Sequence, residues 1–223
     1  MKWIRRALLA LIGLAAIAYA GAVAYMYFNQ RALQYDVTGE VFPLADIGLT
    51  GAEEIVIPAG EESVSAWYLP PQPGKPLILY YKGNAHSFTS ESGRYLAFAR
   101  DGYGFFAFDY RGFPASPGTL SEANILADAL AAYDWVAQKG HTIVIWGWSL
   151  GSGPATYVAS QREAEALLLE TPFLSAVSVA AERYPILPVH WVMLDQFRSN
   201  EWILNVTEPV MVAHGTADTT IAV

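Results

Sequence analysis

From His141 to Gln161 the chain reads HTIVIWGWSLGSGPATYVASQ, an apolar β-type run that passes into a small-residue helical run with no loop between them. The junction is Gly147-Trp148-Ser149-Leu150-Gly151, a G-x-S-x-G pattern. A strand turns into a helix this abruptly only if the corner residue takes a strained backbone conformation and the residues two away on either side carry no side chain. Ser149 is then lifted clear of the sheet edge. The first amides of the helix, with their partial positive charge, face the place where an oxyanion would develop. The five-residue pattern alone would arise by chance in a chain of this length about one time in ten. The strand before it and the helix after it are requirements of the corner and not of the pattern, so their presence is the stronger observation.

The remaining sequence supplies a sheet for that corner. Glu53–Ala59 (EEIVIPA) and Ser63–Pro71 (SVSAWYLPP) read as two strands of a hairpin. Pro76–Gly83 (PLILYYKG) and Gly104–Gly112 (GFFAFDYRG) are continuous apolar runs, as expected of strands covered on both faces. Glu165–Pro172 and Glu208–Gly215 are two further short strands. Helices are predicted over Glu91–Arg100, over Ser121–Gln138 with Ser121 as N-cap, and over Leu150–Gln161. Strands alternating with helices imply an α/β domain whose mostly parallel sheet has helices on both faces. The length of 223 residues suits one such domain. Phe173–Val206, with Pro185 and Pro188, reads as a cap-like insertion between the last two strands.

The N-terminal segment is of another kind. Ala7–Phe28 carries no charged side chain and is long enough, as a helix, to cross the hydrocarbon core of a bilayer. Lys2, Arg5 and Arg6 precede it, which predicts a cytoplasmic N-terminus with the folded domain on the outer side. Tyr25, Tyr27 and Phe28 stand at the far end, where aromatic residues favour the interface. Two alternatives remain: a signal peptide processed near Ala18-Tyr19-Ala20, and a buried core helix. The expected organisation is a cytoplasmic tip and anchor over 1–28, a connector over 29–52 and the α/β domain over 53–223.

Composition narrows the function. The chain carries 13 Lys+Arg against 21 Asp+Glu, a net charge of -8, and lacks the cationic footprint that nucleic-acid binding needs. It has no cysteine, which excludes disulfides, cysteine metal sites and a thiol nucleophile. It has no H-E-x-x-H pattern and no G-x-x-x-x-G-K phosphate loop. Neither a metal nor a cofactor is expected.

Four segments in register, Tyr80–Phe88 (YYKGNAHSF), Phe108–Glu122 (FDYRGFPASPGTLSE), Trp146–Ala155 (WGWSLGSGPA) and His214–Val223 (HGTADTTIAV), resemble the α/β-hydrolase family, especially its membrane-anchored members. The N-terminal anchor followed by NQRALQY is similar to that group as well. The resemblance implies a serine hydrolase acting on esters, thioesters or amides through an acyl-enzyme. Ser149 matches the nucleophile. The backbone N–H groups of Leu150 and Asn84 match the oxyanion donors, and Asp218 matches the acid of the triad. The less favoured alternatives are an ordinary turn at Gly83-Asn84 and a helix N-cap at Asp218. Lys82 stands where the family usually has histidine. Asp109-Tyr110-Arg111-Gly112 matches a loop that shapes the site without chemistry. The anchor and the apolar insertion (Ile186, Leu187, Val189, Trp191, Val192, Met193, Leu194) point to a lipid-like or acyl substrate.

In this family the order is serine, acid, histidine, and the base follows the acid by another element or more. Here five residues follow Asp218. His141 is expected at the bottom of its strand and His214 in a structural hydrogen bond. His86 and His190 are the two that could reach the site. The expectation is a chain shortened relative to an active hydrolase, with an uncovered sheet edge. The alternative function is a catalytically inactive, membrane-tethered α/β-hydrolase-like binding protein.

Overall fold

The computed structural model describes residues 2–221. In chain order its helices are α1 (Lys2–Gln34), α2 (Ser92–Arg100), α3 (Glu122–Ala137), α4 (Ser152–Ala159), α5 (Ala176–Arg183), α6 (Val189–Val192) and α7 (Ser199–Trp202). Its strands are β1 (Glu53–Ala59), β2 (Glu62–Leu69), β3 (Leu77–Tyr81), β4 (Gly104–Phe108), β5 (Ile143–Trp148), β6 (Ala166–Glu170) and β7 (Val210–Ala213). The strands form one sheet in the order β1-β2-β4-β3-β5-β6-β7. The β1–β2 and β2–β4 pairs are antiparallel, and β4, β3, β5, β6 and β7 run parallel.

Alternation along the central strands builds two cores. Leu77, Leu79 and Tyr81 of β3, with Phe106 and Phe108 of β4, join a cluster that includes Ile125, Ala129 and Ala132 of α3 and Ala155 and Val158 of α4. The intervening Ile78, Tyr80, Phe105 and Ala107 join Tyr95 and Phe98 of α2 on the opposite face. A period of two in a strand sends successive side chains to opposite faces, and both faces are covered, which is why these strands read as unbroken apolar runs. Ser121 caps α3 as expected, its hydroxyl accepting from the Asn124 amide (3.2 Å). The edge strand β7 is exposed along its length.

α1 runs 33 residues, about 50 Å at 1.5 Å per residue, and none of its residues is buried. It is long and apolar enough to cross a membrane. It does not stop at Phe28: Asn29–Gln34, read from sequence as connector, continues the helix. The extension is held by the cap. Arg31 and the Tyr35 hydroxyl both donate to Asp195 (3.0 and 3.1 Å), and Gln34 donates to the Asp195 carbonyl (3.1 Å). Partners about 160 residues away supply what local sequence does not show.

Candidate active site

The corner forms as sterics require. Ser149 sits at φ +51°, in the left-handed region that side chains rarely occupy. A Cβ on Gly147 would lie 2.5 Å from the Gly151 carbonyl oxygen, and one on Gly151 would lie 2.0 Å from that of Tyr81. Gly151 itself has an ordinary helical φ of -63°, so it is glycine for space and not for conformation. The helix expected over Leu150–Gln161 begins with a 3₁₀ turn over Ser149–Gly151 that leads into α4.

Opposite the corner, the Lys82–His86 segment leaves the end of β3 and is fastened from two sides. Asp36 and Ala85 form a parallel bridge, the His86 amide donates to the Asp36 carbonyl (3.2 Å), and the Asn84 side chain donates to the Gln34 carbonyl (2.8 Å). From below, Lys82, fully buried, donates to the carbonyls of Gly83 (3.1 Å) and His86 (2.8 Å). Its Nζ lies 3.7 Å from the buried Asp109 carboxylate and 3.8 Å from the centre of the Phe113 ring. Burial outweighs these favourable partners and brings the Lys82 pKa down to about 8. The lysine, standing where the family usually has histidine, therefore orders the loop from beneath.

Asp109 accepts from the Phe88 and Ala115 amides (2.8 and 2.9 Å). Arg111 donates to Asp128 (2.7 Å) and to the Ala59 carbonyl (3.1 Å). These contacts tie the Asp109–Gly112 loop to the frame. Burial raises the Asp128 pKa to about 6 despite its bonds to Arg111.

Ser149, Leu150 and Asn84 line one cavity of about 260 Å³. The rest of its wall is mostly apolar: Phe173, Val179, Val189, Val192 and Met193 from the insertion, and Met26, Tyr27, Gln30, Leu33 and Gln34 from α1. The α1 contribution was not legible in the sequence; its one trace is that polar residues (Asn29, Gln30, Arg31 and Gln34) enter after the apolar run ends at Phe28. The side-chain oxygens of Asn84 and Gln34 are buried without a hydrogen-bond donor.

The other expected residues are placed as follows. Asp218 follows β7 in a turn and does not line the cavity, although its neighbours Thr220 and Ile221 do. One carboxylate oxygen accepts the Thr220 and Ile221 amides (2.8 and 2.9 Å), and these bonds hold its pKa below the usual carboxylate value. The other lies 3.5 Å from His214 Nε2, which also lies 3.0 Å from the Ile221 carbonyl oxygen. None of the four histidines lines the cavity. His86 is exposed and meets the Thr38 carbonyl (3.1 Å), His190 is exposed on the cap, and His141 lies 3.0 Å from the Tyr68 hydroxyl at the start of β5.

A family model for the α/β-hydrolase fold matches residues 76–214, the span that holds the corner, the Lys82–His86 loop and β7. The chain belongs to the α/β-hydrolase family. An uncharacterized protein of Mycobacterium tuberculosis is 32% identical over 217 residues, covering 94% of this chain and 77% of that protein. The zebrafish (Danio rerio) lysophosphatidylserine lipase ABHD12 is 32% identical over 173 residues, covering 67% of this chain and 45% of the lipase, so under half of that enzyme is represented. Among solved structures, an α/β hydrolase from Vibrio vulnificus superposes with a TM-score of 0.68 at 19% identity, covering 82% of this chain and 75% of its own, a likeness of fold alone.

Proposed function

We propose that this chain is a membrane-anchored serine hydrolase that cleaves acyl esters of lipid-like substrates through an acyl-enzyme on Ser149. The observation that carries the proposal is the strained φ of +51° at Ser149, held between two glycines at the floor of an apolar cavity. Strain of this kind persists where the surrounding fold over-determines it, and it exposes the hydroxyl for attack. Ser149 Oγ would add to the acyl carbonyl while its proton passes to a histidine base. The Leu150 and Asn84 N–H groups would stabilise the oxyanion; collapse would return the base's proton to the leaving alcohol and leave the acyl group on Ser149, and water, deprotonated by the same base, would then release it as the carboxylic acid. Asp218 would orient the base. The lysophosphatidylserine lipase relative and the apolar wall both support an acyl-chain substrate.

The anchor is α1 over Ala7–Phe28, with the N-terminus cytoplasmic and the α/β domain outside. Residues 29–52 follow it, and residues 53–223, the last two of which lie outside the described residues, are the α/β domain with its cap over 173–206. A second possibility, an inactive binding protein, is favoured by one observation: no histidine lines the cavity. A fluorophosphonate probe separates the two. The hydrolase proposal expects Ser149-dependent labelling and ester turnover, both lost in Ser149→Ala. Absence of labelling in the unaltered chain would reject it.

A further inference from the structure

The cap segment Tyr184–Leu194, YPILPVHWVML, holds no charged residue between Arg183 and Asp195. Its apolar side chains do not all turn inward: Ile186 is 78% exposed, Trp191 90% and Leu194 55%. Large apolar side chains left this exposed close together in sequence point to an interaction surface.

Position identifies the partner. The Tyr19 hydroxyl donates to the Ile186 carbonyl (2.9 Å), and Gln30 joins the Val192 carbonyl (3.3 Å) and the Leu194 amide (2.7 Å). The cap edge therefore lies along α1 from residue 19 to residue 30. If Arg6 marks the near boundary of the hydrocarbon, about 30 Å of helix at 1.5 Å per residue ends near Met26. Tyr19 is then about 10 Å inside the far boundary. The cap edge that touches it lies at the same depth, which is the depth interfacial segments reach.

The backbone is suited to such a place. Polar groups in lipid must be satisfied within the protein. Pro185 and Pro188 have no N–H to satisfy. The amides of Leu187, Val189, Trp191 and Met193 donate to carbonyls within the segment at 2.8 to 3.0 Å. The carbonyl of Ile186 and the amide of Leu194 are satisfied by α1 itself.

We propose that the Tyr184–Leu194 edge of the cap is seated in the bilayer leaflet beside α1, so that the Ser149 cavity takes its acyl substrate directly from that leaflet. This rests on reading α1 as an anchor and the cavity as an acyl site. Met26 and Tyr27 of α1 and Val189 and Met193 of the cap line that cavity together, at the level where the hydrocarbon would end. An acyl chain would pass between helix and cap without crossing water.

The native chain has no cysteine, so single labels are simple to place. Ile186→Cys, Trp191→Cys and, as a control at the far end of the sheet, Gln138→Cys would each be labelled with an environment-sensitive fluorophore in the full chain reconstituted into phosphatidylcholine vesicles. Labels at 186 and 191 should be quenched by nitroxides on the lipid chains and shielded from aqueous iodide, with the reverse at 138. Iodide quenching at 186 and 191 would overturn the proposal, as would shielding from both quenchers, which would indicate a second protein copy on this face. Independently, Trp191→Glu should slow hydrolysis of a vesicle-resident long-chain ester by about tenfold and leave a soluble short-chain ester unchanged. Equal loss on both esters would also overturn it. Lipid quenching without any ester turnover would leave the cap placement standing and reject only the hydrolase reading.

Discussion

Gly151→Ala tests the corner on which the site depends. Judged by backbone alone the substitution should help, because Gly151 has helical angles (φ -63°, ψ -16°) and alanine there restricts the unfolded chain, a gain of about 0.4–1 kcal/mol. Space reverses the sign. The new Cβ would lie 2.0 Å from the Tyr81 oxygen, 2.5 Å from the Tyr81 carbonyl carbon and 2.6 Å from the Lys82 oxygen. These are backbone atoms at the end of β3, which is hydrogen-bonded to β4 and β5, so no rotamer change relieves the contact. Reaching the 3.4 Å of ordinary contact takes about 1.4 Å of separation between the corner and β3. Overpacking of this kind costs about 1–3 kcal/mol, and the rigidity of the partner places it at the upper end, for a net loss of about 2 kcal/mol. The same displacement parts Ser149 from the Asn84 loop, and a 1 Å misplacement at a reacting centre can cost about a hundredfold in rate. Urea unfolding and the rate of fluorophosphonate labelling at Ser149 measure the two effects. Gly93→Ala, on an exposed turn of α2 where a Cβ would meet nothing within 4 Å, is the control and should be stabilising. If Gly151→Ala unfolds at the wild-type urea concentration and labels at the wild-type rate, the corner is not wedged against β3 and the reasoning fails.

Ser149→Gly should abolish labelling yet raise stability by about 1 kcal/mol, because relief of the strain at φ +51° exceeds the entropy cost of glycine; urea midpoints check the sign. Lys82→Met should cost about 3–5 kcal/mol by leaving the Asp109 carboxylate buried and unpaired, and adding Asp109→Asn should recover part of it in a double-mutant cycle. The same lysine gives a pH signature. Its pKa falls from 10.5 to about 8 on folding, so between those values the unfolded chain holds the proton that the folded chain has released. Stability from this group therefore rises with pH across that window, by up to about 3 kcal/mol, and Lys82→Met should lack the rise in urea titrations at pH 7.5 and 10. Asp195→Ala removes the acceptor shared by Arg31 and Tyr35 and should cost about 1–3 kcal/mol, with a looser cap visible as faster proteolysis within 184–194.

Much of the frame was readable from the chain. The first strand occupies Glu53–Ala59 as its alternation and flanking turn indicate, and α3 starts after Ser121 because a serine hydroxyl can take an orphan amide of the first turn. Apolar runs in β3 and β4 announced burial on both faces. The candidate site was legible only in part. Ser149, Leu150 and Asn84 do share a cavity, but Asp218 turns its carboxylate to its own following amides and to His214. The bend after Asp218 brings the amides two and three residues on to close range, and nothing in the local pattern says which way the carboxylate faces.

What the sequence determined by itself is whatever depends on neighbours along the chain: the period of each strand and helix, the apolar length of α1, and the strand-to-helix corner that forces Ser149 upward. What the tertiary structure decided is whatever joins distant segments. α1 continues to Gln34 and walls the cavity because Asp195 and the 192–194 backbone hold it there, and Lys82 orders the Asn84 loop because Asp109 and Phe113 are brought beneath it. Periodicity and steric exclusion act within a few residues and so are written into the order of amino acids. The meeting of residues 30 and 194 depends on the packing of all the elements between them.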